Sequence, residues 1–279
     1  MPRALFQVHR MRGGAQSHLM FCEDRHYYVV KFQNNPQHVR ILANEMLANL
    51  LASYVGLPVP EFGQVEVSQE LVESTPELHF EHVRGQTRCL PGRHFGSKLP
   101  LDPVREPIYD FVPDQTLALL ANRSAFAGML AFDQWTCNTN GRQAIFYRTG
   151  EEPGRYRALM IDQGFCFNDG EWNFPDSPLR GLYPRLVVYE EVTGWESFEP
   201  WLTLVREMDW RVAHGFAGRI PVAWYEGDDE ALERLMETLD RRRRRIPELL
   251  DAVRRSSKNP FPRWKLEAVV ARTANTGCA

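Results

Sequence analysis

Cysteine is scarce in this chain: there are five in 279 residues, and no two stand in Cys-x-x-Cys spacing. Cys22, Cys89, Cys137, Cys166 and Cys278 are an odd set. They imply neither a disulfide framework nor a cysteine zinc site, and they fit a reducing cytosol. No apolar run approaches the roughly 18 residues needed to span a bilayer. Met1 to Met20 mixes Arg, His and Gln with apolar residues and lacks the apolar core of a signal peptide. An excess of either charge is also missing, since 33 basic and 36 acidic residues leave a net charge of -3. That excludes a generic polyanion binder, so nucleic acid is not the expected partner. There is no internal repeat, no Gly-x-Ser-x-Gly elbow and no Gly-Lys-Ser/Thr Walker loop. His79, His82 and His94 are spaced without metal-ligand logic.

What is present is ordinary globular material, 43% hydrophobic and 25% charged. The length suits one large domain or two lobes sharing a cleft. Short apolar stretches at Phe6–His9 and His18–Cys22 flank the loop Gly13-Gly14-Ala15-Gln16-Ser17. Tyr27 to Phe32 is aromatic and β-branched and reads as a strand. Val39, Leu42, Met46, Leu47, Leu50, Leu51 and Tyr54 recur at helical spacing. They predict a helix from Pro36 to Tyr54, capped by Asn35 and stopped by Gly56. Phe62–Val67 is a further strand, and the Gly-, Pro- and Arg-rich residues 85–114 read as a long connecting loop. Beyond it the pattern is mostly helical: Gln115–Trp135 capped by Asp114, then Glu199–His214 and Asp228–Arg245. Two strands, Gln143–Arg148 and Tyr156–Asp162, interrupt it. Arg241 to Arg245 reads as a solvated helix end and Trp224 as core. The tail after Arg255 is expected to be loose. The organisation is α+β and bilobal: a strand-rich N-lobe over 1–84, the connection over 85–114, a helical C-lobe over 115–255, and the tail 256–279.

The order of polar residues within these elements carries the chemistry. A Gly-rich turn between two strands can bring backbone N–H groups against phosphate. Lys31 ends an apolar strand, and a buried lysine needs an anionic partner. Glu45 lies within the otherwise apolar helix and could be that partner. A Lys–Glu pair holding nucleotide phosphates is the protein-kinase arrangement. The polar run from Asp133 to Arg142 ends a helix and precedes a strand, where kinase-like folds keep a catalytic loop. Asp162 follows an apolar strand with Gly164 two residues on, and can present its carboxylate to Mg²⁺. Each feature also has an ordinary structural reading: Gly13-Gly14 as a hairpin turn, Lys31 and Glu45 on separate solvated faces, Asn140-Gly141 as a turn, Asp133 and Asp162 as caps. The order of all five is what sets them apart.

On these stretches the chain resembles the HipA-like kinases, an atypical branch of the protein-kinase-like fold with motifs similar to those of phosphoinositide kinases. The resemblance rests on Arg12 to Ser17, Val29-Val30-Lys31-Phe32, Asn44-Glu45-Met46-Leu47 through Gly56-Leu57-Pro58-Val59-Pro60, Phe132 to Phe146, Ile161-Asp162-Gln163-Gly164 and Ile220 to Trp224. It implies a bilobal kinase fold that uses ATP and Mg²⁺. Gly13, Gly14, Ala15, Gln16 and Ser17 would cover the phosphates, Lys31 would hold them with Glu45 as its partner, and Asp162 would ligate the metal. The implied activity is transfer of the ATP γ-phosphate to a Ser or Thr hydroxyl of a protein, with a protein substrate or regulatory partner in the cytoplasm and no membrane. A pseudokinase, a nucleotide-binding regulatory module, is the alternative. A small-molecule or lipid head-group kinase is a further one.

The catalytic loop departs from the family pattern, which places Asp two residues after an Asn. Here that position is Asn140, and a carboxamide cannot act as a base. In this register only Gln143 could replace the family's Asn metal ligand. A second register uses Asp133 as base and Asn138, five residues on, as ligand. Position favours the first. The regulatory loop Ser of the family corresponds to Gly13, so control by loop phosphorylation is not expected.

Overall fold

The structure is a computed structural model and describes residues 1–150 and 154–265. Its N-terminal part is an antiparallel five-stranded sheet in the order β1-β2-β3-β7-β4. The strands are β1 (Ala4–Arg10), β2 (His18–Cys22), β3 (Tyr27–Lys31), β4 (Phe62–Val67) and β7 (Gly92–Lys98). A short helix α2 (Gln69–Ser74) and a hairpin of β5 (His79–His82) and β6 (Gly85–Arg88) lie between β4 and β7. The strand pattern of β3 follows the two-residue period: Tyr28 and Val30 enter the lobe's own core with Met20, Phe32, Val65 and Phe80, and Lys31 lies on the other face.

Helix α1 is shorter than the sequence predicts, Ile41–Tyr54, and twelve of its residues are buried. It does not stay within the N-terminal lobe. Ile41, Leu42, Met46, Leu50 and Leu51 join one continuous core with Phe126, Leu130, Phe132 and Trp135 of the C-terminal lobe. Asn35 does not cap α1. Its side-chain N–H donates to the Ala15 carbonyl at 2.8 Å and its oxygen accepts the Gln37 N–H, so it anchors the Gly loop.

The segment 85–114, expected as a loop, contains β6 and β7, and β7 sits between β3 and β4. Its glycines hide it from a propensity reading. Gly96 is there because a Cβ would lie 2.3 Å from Val65 Cγ2 across the sheet. The connection between lobes therefore begins after Lys98.

The C-terminal lobe holds α3 (Asp114–Ala118), α4 (Ala125–Thr136), the hairpin β8 (Gln143–Arg148) and β9 (Tyr156–Ile161), α5 (Trp201–Glu207), α6 (Trp210–Ala217), α7 (Asp229–Arg242) and α8 (Ile246–Arg254). Two predicted helices are broken. Between α3 and α4, Asn122 pairs with both backbone groups of Ala158 at 2.8 and 2.9 Å and draws the chain out of helical path. Between α5 and α6, Asp209 leaves the helix and caps the next one through the Arg211 N–H. Arg242 is buried rather than solvated: it donates to the carbonyls of Trp135 and Gln134 at the end of α4 and to Asp176 at 2.6 Å. The tail is not loose through residue 265. Phe261 is buried against Phe198 and Tyr189, and the Lys265 N–H bonds the Thr193 carbonyl. Residues 266–279 and Cys278 lie outside the described residues. No helix among the described residues is long and apolar enough to cross a membrane.

Two buried histidines make the N-terminal lobe acid-sensitive. His94 Nδ1 accepts the Gln33 N–H at 3.1 Å and Nε2 donates to the Leu90 carbonyl at 2.9 Å, so the neutral ring is fully used. His18 Nδ1 accepts from Gln7 at 2.9 Å beneath Phe32 and Phe80. Burial lowers both pKa values to about 4. The folded rings stay neutral where the unfolded ones, at 6.5, are already charged. Their stabilising effect is complete above the unfolded value and is lost as pH falls toward 4. Each should contribute a slope of roughly 1.4 kcal/mol per pH unit within that window. Urea midpoints at pH 7, 6 and 5 should fall progressively, and His94→Gln should flatten the dependence by about half.

Candidate active site

A cavity of about 560 Å³ opens between the sheet and the C-terminal lobe. Lys31 enters it from the end of β3. Its ammonium donates to Glu45 Oε1 of α1 and, at 2.5 Å, to Asp162 Oδ1, which follows β9. Glu45 is buried and also accepts the Gly164 N–H at 2.9 Å and the Asn49 side chain at 3.2 Å. Three charged groups thus share one small volume. Burial pushes the Glu45 carboxyl up, against the pull of Lys31. Burial opposes the charge on Asp162 as well, but Lys31 holds that carboxyl below the usual carboxylate range. Burial likewise disfavours the Lys31 ammonium, yet Asp162 and Glu45 keep it protonated, its pKa above the ordinary lysine value.

The Gly loop roofs the same cavity. The Gln16 N–H bonds the Gly13 carbonyl at 3.2 Å, and Gly13 adopts φ of 112°, which a side chain would resist. Gly13, Gly14, Ala15 and Ser17 line the space. Gln16, expected among them, turns away: its amide pairs with both backbone groups of Glu81 in β5, at 2.8 and 2.7 Å. It is a strut for the loop and not a ligand. Leu19 and Val29 face the space from the sheet, and Ile145 and Ile161 from the β8–β9 hairpin. These four side chains give the cavity apolar walls, the kind of lining that suits an apolar part of a ligand.

The polar run after α4 divides in two. Asn140 and Gln143 line the cavity, and Gln143 Nε2 donates to Asp162 Oδ2 at 3.0 Å. Asp133 and Asn138 do not line it. Asp133 is 0% exposed and accepts from Arg142 through both oxygens, Nε to Oδ2 at 2.8 Å. Asn138 is also buried, donating to Asp133 at 3.0 Å and accepting the Asn140 N–H at 3.1 Å. Asp133 as base and Asn138 as metal ligand are therefore corrected: both are consumed in holding the loop. Arg142 passes the constraint on by donating to the Ile161 carbonyl, 2.8 Å away, next to Asp162.

Sequence reasoning missed Arg142, Asn44 and Asn49. The signal existed for the two asparagines, which interrupt an apolar helix at one residue before and four after Glu45. Arg142 gave no local signal, because its partner Asp133 lies nine residues back across a left-handed turn at Cys137.

The donor set suits a hard cation. Asp162 and Gln143 both line the cavity and touch through Gln143 Nε2 and Asp162 Oδ2, and a carboxylate beside a carboxamide is a side-chain pair whose oxygens such a cation takes. No cluster of three His, Cys, Asp or Glu able to hold a metal occurs among the described residues. Two carboxyl groups thus face one ammonium on the floor of the cavity.

Residues 7–145 match the HipA-like kinase family. No curated protein matches the sequence. Among solved structures the chain is similar to the Golgi casein kinase, with a TM-score of 0.56 at 12% identity, covering 92% of this chain and 74% of that one. It is also similar to the Golgi casein kinase with Mn/ADP bound, at TM-score 0.52, 11% identity and the same coverage of 92% and 74%. A third similarity is to the Helicobacter pylori proinflammatory kinase CtkA, at TM-score 0.49 and 14% identity, covering 86% of this chain and 98% of that one. The first two establish an atypical kinase fold, α+β, with a strand-rich N-terminal and a helical C-terminal part.

Asp133→Asn should act on stability. It leaves the Arg142 guanidinium buried without its counter-charge, a change that costs about 3 kcal/mol or more. Urea unfolding should show that loss, while ligand affinity of the folded fraction stays unchanged. A fully stable variant would remove Asp133 from the scaffold.

Proposed function

Since the chain belongs to the HipA-like kinase family over residues 7–145, we propose that it is a slow phosphotransferase passing the γ-phosphate of Mg·ATP to a Ser or Thr hydroxyl of a protein. The observation that carries this reading is the Lys31 ammonium between Glu45 and Asp162 beneath the Gly loop. In this reading the adenine lies between Leu19 and Val29 on one side and Ile145 and Ile161 on the other. Backbone N–H groups of Gly13 to Ala15 meet the phosphates, and Gly14 lets the chain come close. Lys31 holds the phosphates, oriented by Glu45, and stabilises charge as the phosphoryl group moves. Asp162 and Gln143 would hold Mg²⁺, which when bound neutralises phosphate charge. Asn140 hydrogen-bonds the acceptor hydroxyl and orients it but takes no proton. Phosphoryl transfer depends more on position and charge stabilisation than on a base, so turnover survives at reduced rate. The free, buried thiols of Cys22, Cys89, Cys137 and Cys166 support a cytoplasmic setting.

Asn140 also favours a second reading, a pseudokinase that binds nucleotide and a partner without turnover. Melting and phosphotransfer separate the two. Mg·ATP should raise Tm, because a ligand bound only by the folded chain stabilises it. Asp162→Ala should remove the magnesium-dependent part of that rise; an unchanged rise takes Asp162 out of the metal site. With radiolabelled ATP, Asn140→Asp should increase transfer or hydrolysis by about a hundredfold at nearly constant nucleotide affinity. Binding with no turnover in either protein supports the pseudokinase. No binding at all refutes both readings.

A further inference from the structure

Asn44 is the most heavily used polar side chain of α1, and neither the lysine pair nor the ligand cavity accounts for it. It is 0% exposed. Its amide nitrogen lies 2.8 Å from the Gly164 carbonyl, 2.8 Å from that of Asp169 and 3.0 Å from that of Cys166. Its oxygen accepts the Trp172 indole N–H at 2.7 Å. Every polar atom of the side chain is thus committed to one stretch of chain, the residues just after Asp162.

That stretch satisfies itself only in part: its own turn bonds take the carbonyls of Gln163, Phe165 and Asn168, while those of Gly164, Cys166 and Asp169 take the Asn44 amide. Asp162, Phe167, Asn168 and Asp169 all have φ between 59° and 64°, in the left-handed region. Such backbone forms no continuous helix or ladder, so the carbonyls its turns leave over need donors from elsewhere. Helix α1 supplies them. Consecutive side chains take both backbone poles of Gly164: Glu45 accepts its N–H and Asn44 donates to its carbonyl. Gly164 has no room for a Cβ, which would lie 2.7 Å from Ile41 Cγ1 on the same helix. Just before the helix, Arg40 donates to the Gly170 carbonyl at 3.0 Å and stacks on Trp172.

We propose that Asn44 is a positioning residue that joins α1 to the segment after Asp162, so that Glu45 and Asp162 move as one body and the cleft is not switched by swinging the helix away. The chemistry is specific to asparagine. Aspartate cannot donate to the three carbonyls, and an apolar residue leaves them and the indole N–H unpaired. The consequence for catalysis rests on the phosphotransferase reading; the mechanical joint does not.

Amide hydrogen exchange on the full chain tests the joint without nucleotide. Asn44→Ala should raise exchange across residues 163–172 by about tenfold or more, while β2 and β8 stay within about twofold. Retained protection at 163–172, or loosening of all regions in step with a lower Tm, would make Asn44 an ordinary core contact and overturn the proposal. If Asn44→Ala does not fold, Trp172→Phe decides. It keeps the ring, removes only the N–H that fixes the Asn44 oxygen, and should raise the same exchange about threefold. No change there overturns the proposal equally. The second readout is affinity: Asn44→Ala should weaken Mg·ADP about tenfold but ADP in EDTA less than about twofold. Equal losses would again overturn it. A wild-type chain that binds no ADP refutes the phosphotransferase reading instead, and the exchange result still judges the joint.

Discussion

One ammonium holds the two halves of the cleft together. Lys31 belongs to the sheet, Glu45 to the helix and Asp162 to the end of the β8–β9 hairpin, and the three meet within hydrogen-bonding distance. A buried charge is tolerable only when paired, so none of these elements can drift without exposing an uncompensated ion. The arrangement also sets the chemistry. The lysine stays charged and Asp162 stays ionised, so an ionised carboxylate stands where a cation would sit beside anionic phosphates.

Around that centre the chain uses neutral amides where regular structure gives out. Asn35 and Gln16 fasten the Gly loop, and Asn44 fastens the left-handed stretch after Asp162. An amide both donates and accepts without carrying charge into the interior, which makes it the cheapest way to satisfy irregular backbone. Helix α1 gains its unusual position from this. It is buried on all sides, packed into the core of the C-terminal lobe while its polar residues address the cleft.

The catalytic side is built differently. Asp133, Asn138 and Arg142 form a closed, buried network that shapes the loop before β8 and reaches the backbone beside Asp162. The loop thus presents only carboxamides, Asn140 and Gln143, to the cavity. This loop can bind and orient, but it supplies no proton acceptor. That imbalance is the physical basis for a slow enzyme and for the competing view of a binding module.

The sequence by itself determined the parts whose meaning is local. Strand period places Lys31 opposite Val30, a lone Glu in an apolar helix needs a cation, and Asp162 followed by Gly164 marks a turn out of a strand. Those three residues do meet, in the order read. Tertiary structure alone decided the rest. Strand β7 was illegible because its glycines answer Val65 on a neighbouring strand and not any propensity of their own. Gln16 was read as a phosphate contact because nothing local showed Glu81 waiting 65 residues away. The choice between Asp133 and Asn140 as the residue facing the cleft could not be made from spacing. It depends on the left-handed turn at Cys137 and on a guanidinium that claims both oxygens of Asp133. A carboxylate's role follows from which partner reaches it first, and in a folded chain that partner is set by packing.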